Sequence, residues 1–142
     1  MDKKILVQYA DLQQEVIEIR KKVKKLEQQI DKIESEGAVI DKVMGGEGGL
    51  QPFKIEGFPY PEYSRKKTLL YARKATLSEL ELELLETLNE VESFISSIND
   101  SHIRRIVNLR VVEGLSWRKV ADRIGGNTED SVRMTFERFM KN

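Results

Sequence analysis

The chain has 142 residues, of which 34% are charged, and its 24 basic and 24 acidic side chains give a formal charge of zero. It has no cysteine and one histidine, His102, which excludes disulfides, thiolate metal sites and His-rich zinc sites and argues against a catalytic triad, so we expect neither an enzyme nor a metal or cofactor. No apolar run is long enough to span a membrane and residues 1–30 lack a signal-peptide core, which predicts a cytoplasmic protein.

The neutral total hides an uneven distribution of charge. Residues 62–75 carry five basic side chains and one acidic, whereas residues 76–100 carry seven acidic side chains and no basic one. Residues 101–142 carry nine basic and five acidic side chains. The basic C-terminal segment is compatible with nucleic-acid binding.

A heptad pattern fills residues 5–33, where apolar positions alternate at spacings of four and three. One interpretation is a parallel two-stranded coiled coil, in which Glu15 meets Arg20 and Lys22 meets Glu27 of the partner. The other, which we favour, is an antiparallel hairpin within one chain, because a second long helix follows. The heptad positions are Ile5, Tyr9, Leu12, Val16, Ile19, Val23, Leu26, Ile30 and Ile33.

Residues 37–63 are predicted to form a connecting loop, because glycine and proline are dense there. The run Gly45–Gly49 contains four glycines but lacks the Lys and Ser/Thr of a phosphate-binding loop. Five large apolar side chains should pack on the end of the hairpin or contact a partner: Phe53, Ile55, Phe58, Tyr60 and Tyr63.

Residues 64–99 predict the second long helix, with Ser64 as its N-cap. Its apolar face comprises Leu70, Leu77, Leu80, Leu84, Leu88, Val91, Ile95 and Ile98. In an antiparallel hairpin, its glutamates would face the basic side chains of the first helix. The groups expected to meet are Glu79, Glu81, Glu83 and Glu86 with Arg20, Lys21, Lys22, Lys24 and Lys25.

The C-terminal segment predicts three short helices. The first is capped by Asp100 or Ser101 and ends at Gly114, and Ser116 is a suitable N-cap for the second, at residues 117–124. We expect the buried positions of these first two helices to be Ile103, Ile106, Val107, Leu109–Val112, Val120, Ala121 and Ile124.

The last two helices are predicted to be joined by a tight turn at Gly125-Gly126-Asn127, since these residues tolerate positive φ. Thr128 would cap the last helix, with Glu129 and Asp130 in its first turn, and its inner face would be Val132, Phe136 and Phe139. Two helices joined in this way are typical of a helix-turn-helix, whose second helix lies in the major groove.

In such a complex Arg133 could form two hydrogen bonds with guanine, and Asp130 could accept a hydrogen bond from cytosine N4. Basic residues on both helices would contact phosphates. The alternative is that Arg133 and Arg138 pair only with neighbouring acids. The predicted DNA-contacting set is Arg118, Lys119, Arg123, Thr128, Glu129, Asp130, Ser131, Arg133, Met134 and Arg138.

One set of positions carries a resemblance to a known family: Leu109-Arg110, Gly114-Leu115-Ser116, Val120-Ala121, Ile124-Gly125, Thr128, Val132-Arg133 and Arg138. This frame resembles region 4 of sigma factors. A short chain with coiled-coil helices ahead of it looks like the small phage and prophage proteins of the ArpU-like late-transcription regulator group. The resemblance implies DNA-facing positions at Thr128, Glu129, Asp130, Arg133 and Met134.

The chain departs from the sigma pattern at Glu129, where a basic residue is common, and at Met134, where a polar one is. Two acids at the tip of the recognition helix weaken its attraction to phosphates. We therefore expect a target other than the ordinary −35 promoter element, or use of the helix for protein contact.

The sequence therefore predicts an all-α protein. A long antiparallel, coiled-coil-like hairpin at residues 1–99 would precede a three-helix helix-turn-helix module at residues 100–142. The leading functional hypothesis is a sequence-specific transcription regulator of phage or prophage origin that binds double-stranded DNA in the cytoplasm of a bacterial host. The alternatives are a small terminase-like DNA-packaging subunit and an adaptor that binds RNA polymerase. If the chain self-associates, the long helices could form a homodimer.

Overall fold

The computed structural model of the chain describes residues 3–44 and 57–142, with side chains described at residues 3–37 and 57–142. Every regular element among these residues is helical, so the all-α prediction is confirmed. The helices are α1 (Lys4–Met44), α2 (Tyr60–Ser96), α3 (Ser101–Val107), α4 (Trp117–Ile124) and α5 (Glu129–Lys141), and a π-helical turn, Asn108–Val112, follows α3 directly.

The two long helices pack together, and the chain divides into two compact units. Unit 1 comprises Met1–Val16 and Leu80–Asn142, and unit 2 comprises Ile17–Glu79. The predicted boundary between residues 99 and 100 falls inside unit 1. This unit joins the first turns of α1 and the end of α2 to the C-terminal helices, because their apolar side chains share one cluster.

In unit 2, the buried heptad positions of α1 pack on α2. Val23, Leu26 and Ile30 form one cluster with Leu70, beside the partly buried Ile19, Tyr63 and Leu77. The two helices run antiparallel here, since α2 positions further along the chain meet earlier positions of α1.

Two interhelical ion pairs agree with this direction. Lys67 Nζ lies 3.7 Å from Glu34 Oε1, and Lys74 Nζ lies 3.7 Å from Glu27 Oε2. These pairs join bases of α2 to acids of α1.

In unit 1, a second cluster joins the start of α1 to the end of α2 and to the segment after α3. Its buried members are Leu6, Tyr9, Val91, Phe94, Ile95, Ile98, Val107 and Val111. Tyr9, Val91, Ile95 and Ile98 are predicted core positions and are buried, whereas Leu6 and Phe94 were not predicted. Leu6 is 1% exposed, while the predicted position beside it, Ile5, is only partly buried.

The apolar heptad face of α1 is covered within the chain. Tyr9, Val16, Val23 and Ile30 are all buried without a second copy. A parallel coiled coil with a second copy would need this face of residues 5–33 to be exposed, and it is not. The observed packing of the two long helices agrees with the hairpin interpretation.

Both limits of the connecting loop were predicted wrongly. The helix break expected at residue 37 is absent, because α1 continues to Met44 with Gly37 buried inside it. A single glycine costs a helix only about 1 kcal/mol, which packing can offset. At the other end α2 begins at Tyr60, so Ser64 lies inside the helix and is not its N-cap.

Part of the predicted loop, including Gly45–Gly49, Phe53 and Ile55, lies outside the described residues. Of its other apolar side chains, Phe58, Tyr60 and Tyr63 form an aromatic cluster. The Phe58 ring centroid is 4.5 Å from that of Tyr60 and 5.3 Å from that of Tyr63. A hydrogen bond to Tyr63 raises the pKa of Lys67.

Within residues 3–44 and 57–142, no helix is long and apolar enough to cross a membrane.

Candidate nucleic-acid interface

The local sequence sets the start of each C-terminal helix. The Asp100 side chain accepts from the backbone N–H groups of His102 and Ile103, which caps α3 as predicted. Ser116 Oγ accepts from Lys119 N at 3.3 Å and caps α4. Both caps satisfy donors that would otherwise lack intrahelical partners.

Helix α3 does not continue as a regular α-helix to residue 113. A π-helical turn, Asn108–Val112, follows it and ends with Glu113 N donating to Asn108 O. Gly114 then takes φ +66°, where glycine carries no Cβ penalty. A π-helical turn holds one more residue than an α-helical turn. Here Val111 is buried in the cluster that joins the start of α1 to the end of α2, and Leu109 is buried in the cluster of the three short helices.

The three short helices share one hydrophobic cluster. Its buried members are Ile106, Leu109, Val120, Ala121 and Val132, with Leu115, Trp117, Ile124 and Phe136 packed at its edge. The five buried members, Ile124 and Phe136 were predicted as inward-facing, whereas Leu115 was not. The fixed inward positions of Val120 and Val132, both 0% exposed, determine which sides of α4 and α5 face solvent.

A four-residue link, residues 125–128, joins α4 to α5. Gly125 and Gly126 both take positive φ, of 76° and 68°, as the predicted turn requires. Asn127 does not take positive φ. Its side chain instead donates to the carbonyl of Gly125 at 3.1 Å. Thr128 Oγ1 accepts from Ser131 N at 3.1 Å, so the predicted cap of α5 is present.

The predicted phosphate contacts on α4 are exposed. Arg118 and Lys119 lie in its first turn, and Arg123 lies in its last. Arg123 Nη2 lies 3.9 Å from Glu113 Oε1, and both side chains are exposed. The Arg123 carbonyl also accepts from Arg105 Nη2 at 3.4 Å. All three basic side chains are therefore open to a ligand.

The predicted contacts on α5 lie on its solvent side. Thr128, Glu129, Asp130, Ser131, Arg133, Met134 and Arg138 are all exposed. Met134 stands out among them because it is apolar and 46% exposed.

Arg133 and Asp130 are brought together. Arg133 Nη2 lies 3.2 Å from Asp130 Oδ1, one turn earlier on α5. This is the pairing with a neighbouring acid that the sequence left as the alternative to guanine contact. Both side chains remain well exposed, and exposed pairs contribute at most about 1 kcal/mol, so the pair can open in favour of a stronger partner.

Arg110 has a structural role that its place in the motif did not indicate. Its guanidinium carbon lies 4.4 Å from the centroid of the Trp117 ring, and its Nη1 donates to the Leu115 carbonyl at 2.9 Å. The Trp117 ring in turn lies 5.2 Å from that of Phe136. Arg110 thereby links the π-helical turn to the start of α4 and, through Trp117, to α5.

Two polar side chains near the start of α1 also hold the C-terminal helices. Gln13 Nε2 donates to the Val112 carbonyl at 3.0 Å. Lys3 donates to the Phe139 carbonyl and lies with its Nζ 4.3 Å from the Phe139 ring centroid. About a hundred or more residues separate the members of each pair along the chain, so no local sequence pattern indicates them.

Among the residues that the structure describes, no three or more His, Asp or Glu side chains are grouped so that they could hold a metal ion. Comparison with known proteins gives no match to a family model, to a curated protein or to a solved structure.

Proposed function

We propose that the chain is a sequence-specific DNA-binding transcription regulator of phage or prophage origin, resembling sigma factor region 4. In this proposal α4 and α5 form a helix-turn-helix, and α5 is the recognition helix in the major groove. The regulator acts by binding alone and carries out no chemistry.

The observation that carries the proposal is the fixed rotation of α5. Val132 is fully buried against α3 and α4, while Arg133 and Met134, the next two residues, are exposed. The helix is capped by Thr128 and preceded by a turn with two positive-φ glycines. A groove-reading helix needs this arrangement, in which one side is packed and the other presents polar side chains near its N-terminal end.

Charge supports the same interpretation. Residues 101–142 carry nine basic and five acidic side chains, and Arg118 and Lys119 are exposed at the start of α4. Basic side chains supply sequence-independent affinity for the phosphate backbone, and that affinity falls steeply with salt. Base contacts from α5 would then supply the preference for one sequence.

The second candidate is an adaptor that binds RNA polymerase or another regulator through α5. Two features of α5 favour it: the exposed apolar Met134, and the two acids, Glu129 and Asp130, in its first turn. Acids near the groove repel phosphates, whereas an apolar residue ringed by charges is common at protein interfaces.

The test is selection from a pool of random DNA duplexes with the full chain, carried out at two salt concentrations. The regulator predicts an enriched motif and weaker retention at the higher salt. An absence of enrichment at low salt would refute DNA recognition and favour the adaptor. Enrichment by a ring of eight or more chains, measured by light scattering, would favour the packaging subunit instead.

A further inference from the structure

The part of α1 that belongs to unit 2 carries a row of lysines on its solvent side. Lys21, Lys25 and Lys32 are all exposed and follow one another at helical spacings, with Gln28 between the last two. Residues three or four apart lie on the same side of a helix, so these four positions form one line. Lys24 lies beside this line and is also exposed. We call Lys21, Lys24, Lys25 and Lys32 the lysine row.

The lysine row lies outside the contact between the two long helices. The apolar residues of the same stretch, Val23, Leu26 and Ile30, are buried in the cluster with Leu70 of α2. A helix that buries one side against a neighbour presents its other side to solvent. The row is therefore open to a ligand along its length.

The hairpin leaves the charges of the row without partners. Helix α2 meets α1 through its own bases, since Lys67 pairs with Glu34 and Lys74 pairs with Glu27. Glu27 is the acid one turn after Lys24, and its partner is Lys74. Among the residues that the structure describes, none forms an ion pair with a lysine of the row.

The register of the hairpin explains why α2 does not neutralise the row. Because Lys74 meets Glu27 and the two helices run antiparallel, residues 75–78 of α2 lie opposite residues 23–26 of α1. Residues 75–78 carry no charge. The exposed acids nearest to the row on α1 lie toward its two ends, and they are Glu18, Asp31 and Glu36.

The neighbours of Lys25, at the centre of the row, are basic or neutral. Those three and four residues away are Lys21, Lys22, Gln28 and Gln29. Like charges at these spacings repel each other and destabilise a helix. An anion bound along the row would screen that repulsion, so its binding would also stabilise the helix.

The length of the row suits a polymer of phosphates. Lys21 and Lys32 are eleven residues apart, or about 16 Å along the helix axis. Duplex DNA presents one phosphate charge per roughly 1.7 Å of its axis, so a straight row of this length can reach several phosphates of one duplex. Lysine binds phosphate as a point charge and does not require one fixed geometry of its partner.

The row lacks the side chains that other polyanions need. Single-stranded nucleic acids are held by aromatic side chains on which their bases stack, and residues 21–32 contain no aromatic residue. A membrane surface is bound by exposed apolar side chains beside the bases, whereas Val23, Leu26 and Ile30 are buried. From this we infer that the lysine row binds the phosphate backbone of duplex DNA without regard to sequence.

The lysine row belongs to unit 2, whereas α4 and α5 belong to unit 1. The row would hold a duplex whether or not α5 reads bases, because it contacts phosphates alone. It is a second DNA-binding surface, additional to the proposed helix-turn-helix.

The first experiment measures binding of the full chain to a short labelled duplex of random sequence, by fluorescence anisotropy over a range of salt concentrations. The test variant combines Lys21→Gln, Lys25→Gln and Lys32→Gln. It should bind roughly 10-fold or more weakly at low salt, with a salt slope smaller by about three, since each lysine contributes one phosphate contact.

Two control variants separate the position of the charges from their total. Lys→Arg at the same three positions keeps the charge and should bind like the wild type. Ser64→Glu, Thr68→Glu and Ala75→Glu lower the net charge by the same amount at exposed positions of α2, away from Leu70 and Leu77. This second control should weaken binding far less than the three Lys→Gln changes.

A further comparison separates the row from the helix-turn-helix. Arg118→Gln with Lys119→Gln removes the proposed phosphate contacts of α4, and the effect of the Lys→Gln changes should persist in that background. A chain that binds random duplexes through the row but enriches no motif would uphold the row and refute the regulator. A chain that enriches a motif and is indifferent to the Lys→Gln changes would do the reverse.

Unchanged affinity of the Lys→Gln variant would overturn the inference, as would equal weakening by the three glutamates on α2. Tighter binding to the single strand than to the duplex, or binding to phosphatidylserine vesicles but not to the duplex, would also overturn it. Acetylation footprinting by mass spectrometry gives a direct readout, in which the duplex should protect the lysines of the row. Circular dichroism of each variant checks that helix content is retained.

Discussion

Gly37 and Phe58 are in such close contact that a Cβ atom on Gly37 would overlap Cε2 and Cδ2 of the Phe58 ring. Gly37 is buried in α1, and Phe58 lies just before α2, in the aromatic cluster with Tyr60 and Tyr63. The absence of a side chain at residue 37 allows the Phe58 ring to lie directly on the α1 backbone. The sequence predicted a helix break at Gly37, but the Phe58 ring packs on this residue inside a continuous helix.

Gly37→Ala should therefore destabilise unit 2, although alanine is the better helix former. The substitution gains about 1 kcal/mol in helix propensity, but overpacking against an aromatic ring costs about 1–3 kcal/mol. We expect a net loss near 1 kcal/mol in the free energy of unfolding, measured by urea denaturation. In a Phe58→Ala background the same change should become stabilising. Equal effects in both backgrounds would show that the ring contact does not matter.

Arg110→Lys should loosen the start of α4. Lysine keeps the charge but loses the planar group that lies over Trp117 and the fork that reaches the Leu115 carbonyl. We expect a loss of about 1–2 kcal/mol, from the cation–π contact and one hydrogen bond. Trp117 is the single tryptophan, so its fluorescence reports the change directly. Arg118→Lys, at an exposed site on α4, is the control and should alter neither the emission nor the unfolding midpoint.

Thr128→Ala should fray the start of α5. The hydroxyl accepts from Ser131 N at 3.1 Å, and loss of such a cap costs about 1 kcal/mol. Thermal unfolding should show a lower midpoint, and amide exchange should speed up in the first turn of the helix. Thr128→Ser keeps the hydroxyl and should retain most of the stability. If serine were as harmful as alanine, the cap would not be the cause.

Arg133→Ala tests the recognition helix within the proposed function. Loss of a bidentate base contact should lower the preference for one base pair of the selected site by about 1–3 kcal/mol. Lys119→Ala removes a proposed phosphate contact and should weaken binding to all duplexes alike, with a salt slope smaller by about one. Fluorescence anisotropy on the selected and a scrambled duplex separates these outcomes. Uniform weakening by Arg133→Ala would assign that residue to the backbone instead.

The sequence predicted local features well, because each depends on residues close together in the chain. The caps Asp100, Ser116 and Thr128 are present, and the range of α4 matches the prediction. The heptad periodicity identified the side of α1 that is buried, since apolar spacing follows helix geometry directly. The same reasoning failed at Gly37 and Ser64, where tertiary packing and an earlier helix start overrode local preference.

The candidate site shows the same division. From the sequence alone came the exposed set on α4 and α5 and the inward setting of Val132, which follow from helical periodicity and turn chemistry. Only the tertiary structure decided that Arg133 pairs with Asp130, that Arg110 lies over Trp117, and that Lys3 and Gln13 hold the C-terminal helices. Such contacts depend on side-chain rotamers and on segments far apart in the chain, and neither is encoded in local spacing.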